Sequence, residues 1–228
     1  HNPTGSVLSE DDIRAVAEVI REHDITVLSD EIYEHIIYDA APSSIAALPG
    51  MLDRTVLFSG FSKTYAMTGW RLGYAVLPPA LVEPVVRLIV NSVSCAPLFI
   101  QHAGIEALTG PQDSIPAMVK EFKERRDLIV DGLNRIPGIS CRRPEGAFYV
   151  FPNVKQLNIN CIELADILLN KAGVALLPGT HFGDCGDGYL RISYATSREK
   201  ISQALLKIGR AVAELTASLN PAFPARKE

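Results

Sequence analysis

Residues 9–24, SEDDIRAVAEVIREHD, place apolar side chains at helical spacing, with Ser9 and a run of acids at the front. That pattern predicts an amphipathic helix capped by Ser9. Three apolar runs follow, ITVLSDE, TVLFSGFSK and GYAVLPP. Runs apolar on both faces and interleaved with helices predict strands of a buried parallel or mixed sheet. From Pro79 to about Ile136 the pattern is helical, interrupted by CAP at 95–97 and TGPQ at 109–112. After PGISC the style changes. Short strands in GAFYVF, VALLP and YLRISYA alternate with helices at 161–172 and 197–219, an α+β layout.

The fold class expected is therefore α/β, with part of a mixed, mostly parallel sheet flanked by helices, followed by a C-terminal α+β domain. The boundary is placed near residue 115, giving domains 1–115 and 116–228, and the long helical stretch 114–136 could bridge them. No internal repeat or low-complexity segment is visible, and the tail PAFPARKE is expected to be disordered. The chain opens HNPTG, with no initiator methionine and no leader. The expectation is a chain whose N-terminal part is absent.

Composition narrows the classes of function. At 228 residues the chain can bury one large core or two modest ones. A formal charge of −4 argues against a nucleic-acid or anionic-membrane partner, since both need a concentrated basic face. The longest basic cluster, KEFKERRD, is interleaved with acids and reads as a solvated helix face. Cys95, Cys141, Cys161 and Cys185 are irregularly spaced, so neither a metal site nor a disulfide framework is signalled. Reduced thiols in a cytoplasmic protein are the expectation. No apolar run reaches membrane-spanning length, and no secretory signal pattern is present.

Candidate chemistry gathers where strands end. In open α/β sheets, ligands bind beyond the carboxyl ends of the strands. Asp30 and Tyr33 follow ITVLS, and Ser62 and Lys63 follow TVLFSGF. Arg71 lies in the return to the next run, between Gly69 and Gly73, and can come back to the same rim. A lysine in a partly desolvated pocket beside a cation becomes a nucleophilic amine, and such amines form Schiff bases with aldehydes. Pyridoxal phosphate offers an aldehyde, a pyridine nitrogen that needs an acid, a phenolic oxygen and a phosphate. Lys63, Asp30, Tyr33 with Asn2, and Arg71 match those four needs.

HNPTG, SDEIY and SGFSKTYAMTGWRLGY, in this order, resemble the class I/II aminotransferases of fold type I, the aspartate aminotransferase-like enzymes that use pyridoxal 5'-phosphate. PEGAFYVFP, GVALLPGTHFG and YLRISYA resemble the small domain of the same family, so the resemblance covers nearly the whole chain. It implies that 1–115 is the C-terminal part of the cofactor-binding large domain. It also implies a Schiff base at Lys63, which later shuttles the substrate's proton. Asp30 then pairs with the pyridine nitrogen, Tyr33 and Asn2 with the ring oxygen, Arg71 with the phosphate, and Ser62 adds a hydroxyl there. Arg191, in YLRIS, grips the α-carboxylate of the amino acid as a two-toothed fork, reaching in from the small domain. The implied substrates are an L-amino acid of aspartate, alanine or aromatic type and a 2-oxo acid, in a homodimeric full-length enzyme. One position departs from the pattern: Gly60 stands where the family often carries a phosphate-binding serine, so Ser59, Ser62 or the glycine N–H would have to compensate.

Each residue alone has a plainer reading. Lys63 would be an ordinary loop lysine, Asp30 the cap of the following turn, and Tyr33 a half-buried packing residue. Arg71 and Arg191 would be surface ion-pair residues, Asn2 part of a common Asn-Pro turn, and Phe148 and Tyr149 core packing. Two other functions fit the same residues. One is a different pyridoxal-phosphate reaction, a C–S β-lyase or synthase. The other is a non-catalytic aminotransferase-like sensor domain of a transcription regulator.

Overall fold

A computed structural model describes residues 1–219; the tail PAFPARKE lies outside the described residues. The elements follow the hydrophobic pattern closely. Helix α1 (Glu10–Glu22) opens on a capping box, in which the Ser9 hydroxyl accepts from Asp12 N–H at 3.1 Å and Asp12 accepts from Ser9 N–H at 3.2 Å. A cap of this kind contributes about 1 kcal/mol. The buried stripe Ile13, Ala17 and Ile20 packs on Ile45 and Met51, with Val27 alongside.

The chain forms two compact units: residues 6–120, and residues 1–5 together with the chain from 121 onward. They part inside α5 (Ser114–Leu133), five residues beyond the division expected near 115. Residues 1–5, expected with the N-terminal domain, pack with the C-terminal unit. The reason is a backbone dock, since Gly5 C=O accepts from both Glu145 N–H and Gly146 N–H.

In the first unit, β1 (Val27–Asp30), β2 (Thr55–Gly60) and β3 (Gly73–Val76) form one sheet in that order. β1 and β2 run parallel with Asp30 opposite Phe58, and β3 returns antiparallel with Gly73 opposite Gly60. The sheet is therefore mixed. Burial on both faces, as expected for these runs, is not what the structure shows: Leu28 is 70% exposed, and Phe58, Tyr74 and Val76 are also exposed. Val27 faces the α1 core, whereas its neighbour Leu28 must point to the opposite face of the pleat. The helical stretch resolves into α3 (Pro79–Ser92), α4 (Leu98–Thr109) and α5, with α2 (Phe61–Thr64) a single turn after β2.

The second unit holds the larger core. β4 (Tyr149–Val150), β6 (Leu190–Ser193) and β5 (Leu177–Pro178) form an antiparallel sheet in the order β4-β6-β5. α5, α6 (Cys161–Ala172) and α7 (Arg198–Leu219) bury Leu133, Leu164, Leu168 and Ile208 together with Val150, Leu190 and Tyr194. α6 begins at Asn160, whose side chain accepts from Ile162 N–H, and ends at the left-handed Gly173.

An ion cluster ties α7 to α5. Arg198 bonds Glu121 and Glu124, and Arg125 bonds Glu121 at 2.8 Å. The Arg198 hydrogen bond first, then that from Arg125, holds the Glu121 carboxyl down to about 2 from its usual 4.5. A carboxylate with a depressed folded-state value stabilises the fold fully above pH 4.5, and that contribution disappears as pH falls toward 2. Arg198→Gln should lower the urea midpoint at pH 7, and the gap from wild type should close as acid titrates Glu121. A gap that stays constant down to pH 2.5 would contradict this assignment.

Candidate active site

The two parallel strands deliver their side chains to one rim. Asp30 is the last residue of β1, and Lys63 sits in α2 directly after β2. Because β3 runs back, its start lies at the same rim, and Arg71 precedes it by two residues. Tyr33 follows β1, and Lys63 Nζ lies 6.0 Å from its ring centroid. Asp30, Tyr33, Ser62, Lys63 and Arg71 thus occupy one end of one sheet.

Local structure explains how each is held. Asp30 Oδ1 accepts from Ile32 N–H at 3.2 Å, so the residue does cap its own turn. Its Oδ2 has no hydrogen-bond partner among the described residues. Two acids that the sequence reading passed over fix the segment bearing Asp30 and Tyr33. Glu31 accepts from Ser29 at 3.0 Å and Ser44 at 2.7 Å, and Glu34 accepts from Ser59 at 2.6 Å. Buried Ser59 is thereby committed to Glu34, whereas Ser62 has no hydrogen-bond partner among the described residues. Of the two serines that could compensate for Gly60, Ser62 is the one with a hydroxyl to offer. A Cβ at Gly60 would lie 2.8 Å from Gly73 Cα, so the close crossing of β2 and β3 keeps this position small.

In the turn between Gly69 and Gly73 the left-handed residue is Arg71 itself, at φ 56°. A non-glycine residue there costs about 1 kcal/mol. Arg71 Nη1 donates to Thr68 C=O at 3.0 Å, and its other donors have no partner among the described residues. α4 backs this turn: Gly104 lets it approach so closely that a Cβ there would lie 2.6 Å from Leu72 and 3.3 Å from Phe61. Tyr65 packs beside Phe61 at 5.6 Å, and burial, then the Tyr74 and Glu34 charges, pushes its phenol up.

The other two candidates belong to the second unit and meet each other. Arg191 Nη1 donates to Asn2 Oδ1 at 3.0 Å. The guanidinium lies between two rings, 4.6 Å from the Tyr149 centroid and 4.7 Å from that of Phe182. Its Nε is buried and has no hydrogen-bond partner among the described residues. Nη2 also lacks a partner among the described residues, so the Nη edge of the guanidinium is the one left to meet an acceptor. Tyr149 does lie in the core as expected, but it also forms one wall of this clamp. Phe182 was not anticipated. It ends the turn Gly179–Phe182, which folds back so tightly that a Cβ on Gly179 would lie 2.1 Å from Gly186 C=O. The glycines of GTHFGDCG were the available signal.

The side-chain set fits pyridoxal phosphate: an amine for the aldehyde, a carboxylate for the ring nitrogen, a phenol for the ring oxygen, and a hydroxyl and guanidinium with donors to offer a phosphate. Comparison with known proteins identifies the family. A model of the family described as aminotransferase class I and II matches residues 1–208. The aspartate aminotransferase of Musicola paradisiaca is 46% identical over 221 residues, covering 96% of this chain and 55% of that protein. Aromatic-amino-acid aminotransferase 2 of Thermococcus litoralis is 41% identical, covering 94% of this chain and 56% of its own length. The crystal structure of an aromatic aminotransferase from Pyrococcus horikoshii OT3 superposes with a TM-score of 0.91 at 42% identity, over 93% of this chain and 58% of that one. The chain thus spans about half the length of the relatives it matches. It belongs to the class I and II aminotransferases.

Proposed function

We propose that this chain carries the catalytic lysine and the substrate-carboxylate fork of a pyridoxal-phosphate-dependent aminotransferase. The reaction moves an amino group between an L-amino acid of aspartate, alanine or aromatic type and a 2-oxo acid. The observation that carries the reading is Arg191: a guanidinium set between two rings, with Nη1 held by Asn2 and no hydrogen-bond partner on Nη2 among the described residues. A carboxylate can take the Nη edge of that fork with the planar, two-point geometry that guanidinium favours.

When bound, pyridoxal phosphate supplies an aldehyde that joins amines and a ring that withdraws electrons from the substrate's α-carbon. Lys63 would present its amine to that aldehyde and would carry the proton to and from the α-carbon. Asp30, with Oδ2 unengaged, holds a proton on the ring nitrogen. Tyr33 donates to the ring oxygen. Asn2, whose Oδ1 is taken by Arg191, keeps its Nδ2–H groups as donors toward the same oxygen. Arg71 and Ser62 hold the phosphate.

The names of the relatives, aspartate and aromatic-amino-acid aminotransferase, support the substrate classes. Four free cysteines support a reducing, cytoplasmic setting. A homodimer is the proposed full-length form, and exposed Val86, Leu88, Val90, Leu98 and Phe99 on α3 and α4 are surface such an association would cover. No helix among the described residues is long and apolar enough to cross a membrane. The test is kcat/KM of the full-length protein for L-aspartate, L-alanine and L-phenylalanine with a 2-oxo acid acceptor. Turnover of at least one is expected, and failure of all three would overturn the substrate assignment.

A further inference from the structure

Arg126 is only 2% exposed, within the unit that carries Asn2 and Arg191. Its Nε donates to Asp127 Oδ1 at 2.9 Å, and its Nη1 donates to Pro144 C=O at 3.0 Å. The same Asp127 oxygen also takes Arg143, whose second arm reaches Asp131 at 2.8 Å. Burying a guanidinium is costly, and well-packed apolar residues often replace a buried ion pair with no loss of stability. The arrangement therefore asks for a role other than holding the core together.

The peptide units after Pro144 supply one. Glu145 N–H and Gly146 N–H both donate to Gly5 C=O, at 2.9 and 2.8 Å. Gly5 has φ +68°, and a Cβ on it would lie 2.4 Å from Pro144 Cβ and 2.9 Å from Gly146 C=O. Only glycine permits this approach. Gly5 N–H in turn donates to His1 C=O at 2.8 Å, closing a turn around Asn2, and Asn2 Oδ1 accepts from Arg191 Nη1 at 3.0 Å. A continuous set of contacts runs from Asp127 through Arg126, Pro144 and Gly5 to Asn2 and the guanidinium of Arg191.

We infer that Arg126 is a positioning residue for the substrate-carboxylate fork. It fixes the 144–146 turn, that turn anchors residues 1–5, and Asn2 then sets the plane in which the remaining donors of Arg191 face an α-carboxylate. Arg126 touches neither substrate nor cofactor in this scheme, and the scheme rests on the reading of Arg191 as the carboxylate-binding group. Its signature is a loss larger in KM than in kcat, because Asn2 holds Arg191 directly through Oδ1, whereas it reaches the chemistry at Lys63 only as a second donor to the ring oxygen beside Tyr33.

The test is a double-mutant cycle in the full-length protein, with KM and kcat measured for whichever of L-aspartate, L-alanine and L-phenylalanine has the highest kcat/KM. Arg126→Met should raise KM about tenfold and change kcat less than about twofold, and Arg126→Lys should recover part of the loss. In an Asn2→Ala background the Arg126→Met change should add less than about twofold to KM, because residues in one network are not additive. Additive effects, or a fall in kcat at unchanged KM, would overturn the inference. Gly5→Ala opens the same junction from the other side without altering Arg126, so it carries the test if Arg126→Met does not fold. It should raise KM with the same dependence on Asn2, and an unchanged KM would overturn the inference. Arg191→Lys separates the two levels. If it leaves KM unchanged for all three amino acids, the reading of Arg191 falls. If it raises KM while Arg126→Met does not, only the role of Arg126 falls.

Discussion

Lys63→Ala in the full-length protein should lower kcat/KM for amino-group transfer by about 10,000-fold. The basis is that one side chain is assigned two tasks, the amine that meets the cofactor aldehyde and the group that moves the α-proton. A positioned acid–base group alone contributes about 100- to 10,000-fold, and loss of the nucleophile adds to that. The upper figure corresponds to about 5.5 kcal/mol of transition-state stabilisation. Cofactor affinity should fall less, since Asp30, Tyr33, Ser62 and Arg71 remain. A readout independent of turnover is borohydride reduction followed by mass spectrometry. The wild-type protein should gain the mass of a phosphopyridoxyl group on the peptide containing Lys63, and the variant should gain none. A variant with near-normal turnover, or a mass gain on another lysine, would refute the assignment.

Arg191→Lys and Arg71→Lys should fail in opposite ways. Lysine keeps the charge at each position but replaces a planar fork by a point charge of different reach. At Arg191 it also loses the stacking of the guanidinium between Tyr149 and Phe182. Truncating one partner of a buried charge pair costs about 2–5 kcal/mol, and a conservative change should fall near the lower end, about 30-fold in kcat/KM. That loss should be alike for L-aspartate, L-alanine and L-phenylalanine, because they share the α-carboxylate and differ beyond it. Cofactor dissociation should be nearly unchanged. Arg71→Lys should instead weaken cofactor retention first. It should also change the left-handed turn little, since lysine faces the same backbone penalty as arginine. Kinetics with the three amino acids and a cofactor titration on both variants decide the matter. A loss confined to L-aspartate in Arg191→Lys would mean that Arg191 binds a side-chain carboxylate instead.

Much of this was legible in the sequence because local rules and tertiary packing agree. Ser9 followed by acids gave the start of α1, and α6 runs from Cys161 to Ala172 as its pattern implies. The placement of Asp30 and Lys63 at one rim followed from two apolar runs that could pair in parallel. What was not legible depends on contacts distant in sequence or on backbone detail. Asn2 and Arg191 stand 189 residues apart and meet beside the dock of Gly5 on the 144–146 turn. Glu34 looked like any polar residue of a loop, and its bond to Ser59 depends on the turn between Glu31 and Ile36. Arg71 takes the left-handed conformation that glycine adopts at less cost, and no local sequence rule assigns it to an arginine. The outward face of the sheet was misjudged for a different reason. Hydrophobic runs report what a strand is able to bury, and within these residues Leu28 and Phe58 are not covered.

The most direct measurement follows nitrogen. The full-length protein would be supplied with pyridoxal phosphate, a 15N-labelled amino acid drawn in turn from L-aspartate, L-alanine and L-phenylalanine, and an unlabelled 2-oxo acid, with products read by NMR. The account predicts that 15N appears in the new amino acid formed from the acceptor, in step with loss of label from the donor and without release of ammonium. Label released as ammonium would indicate a lyase, and label that stays in the donor would indicate a binding domain without turnover. Either result would contradict the proposed amino-group transfer.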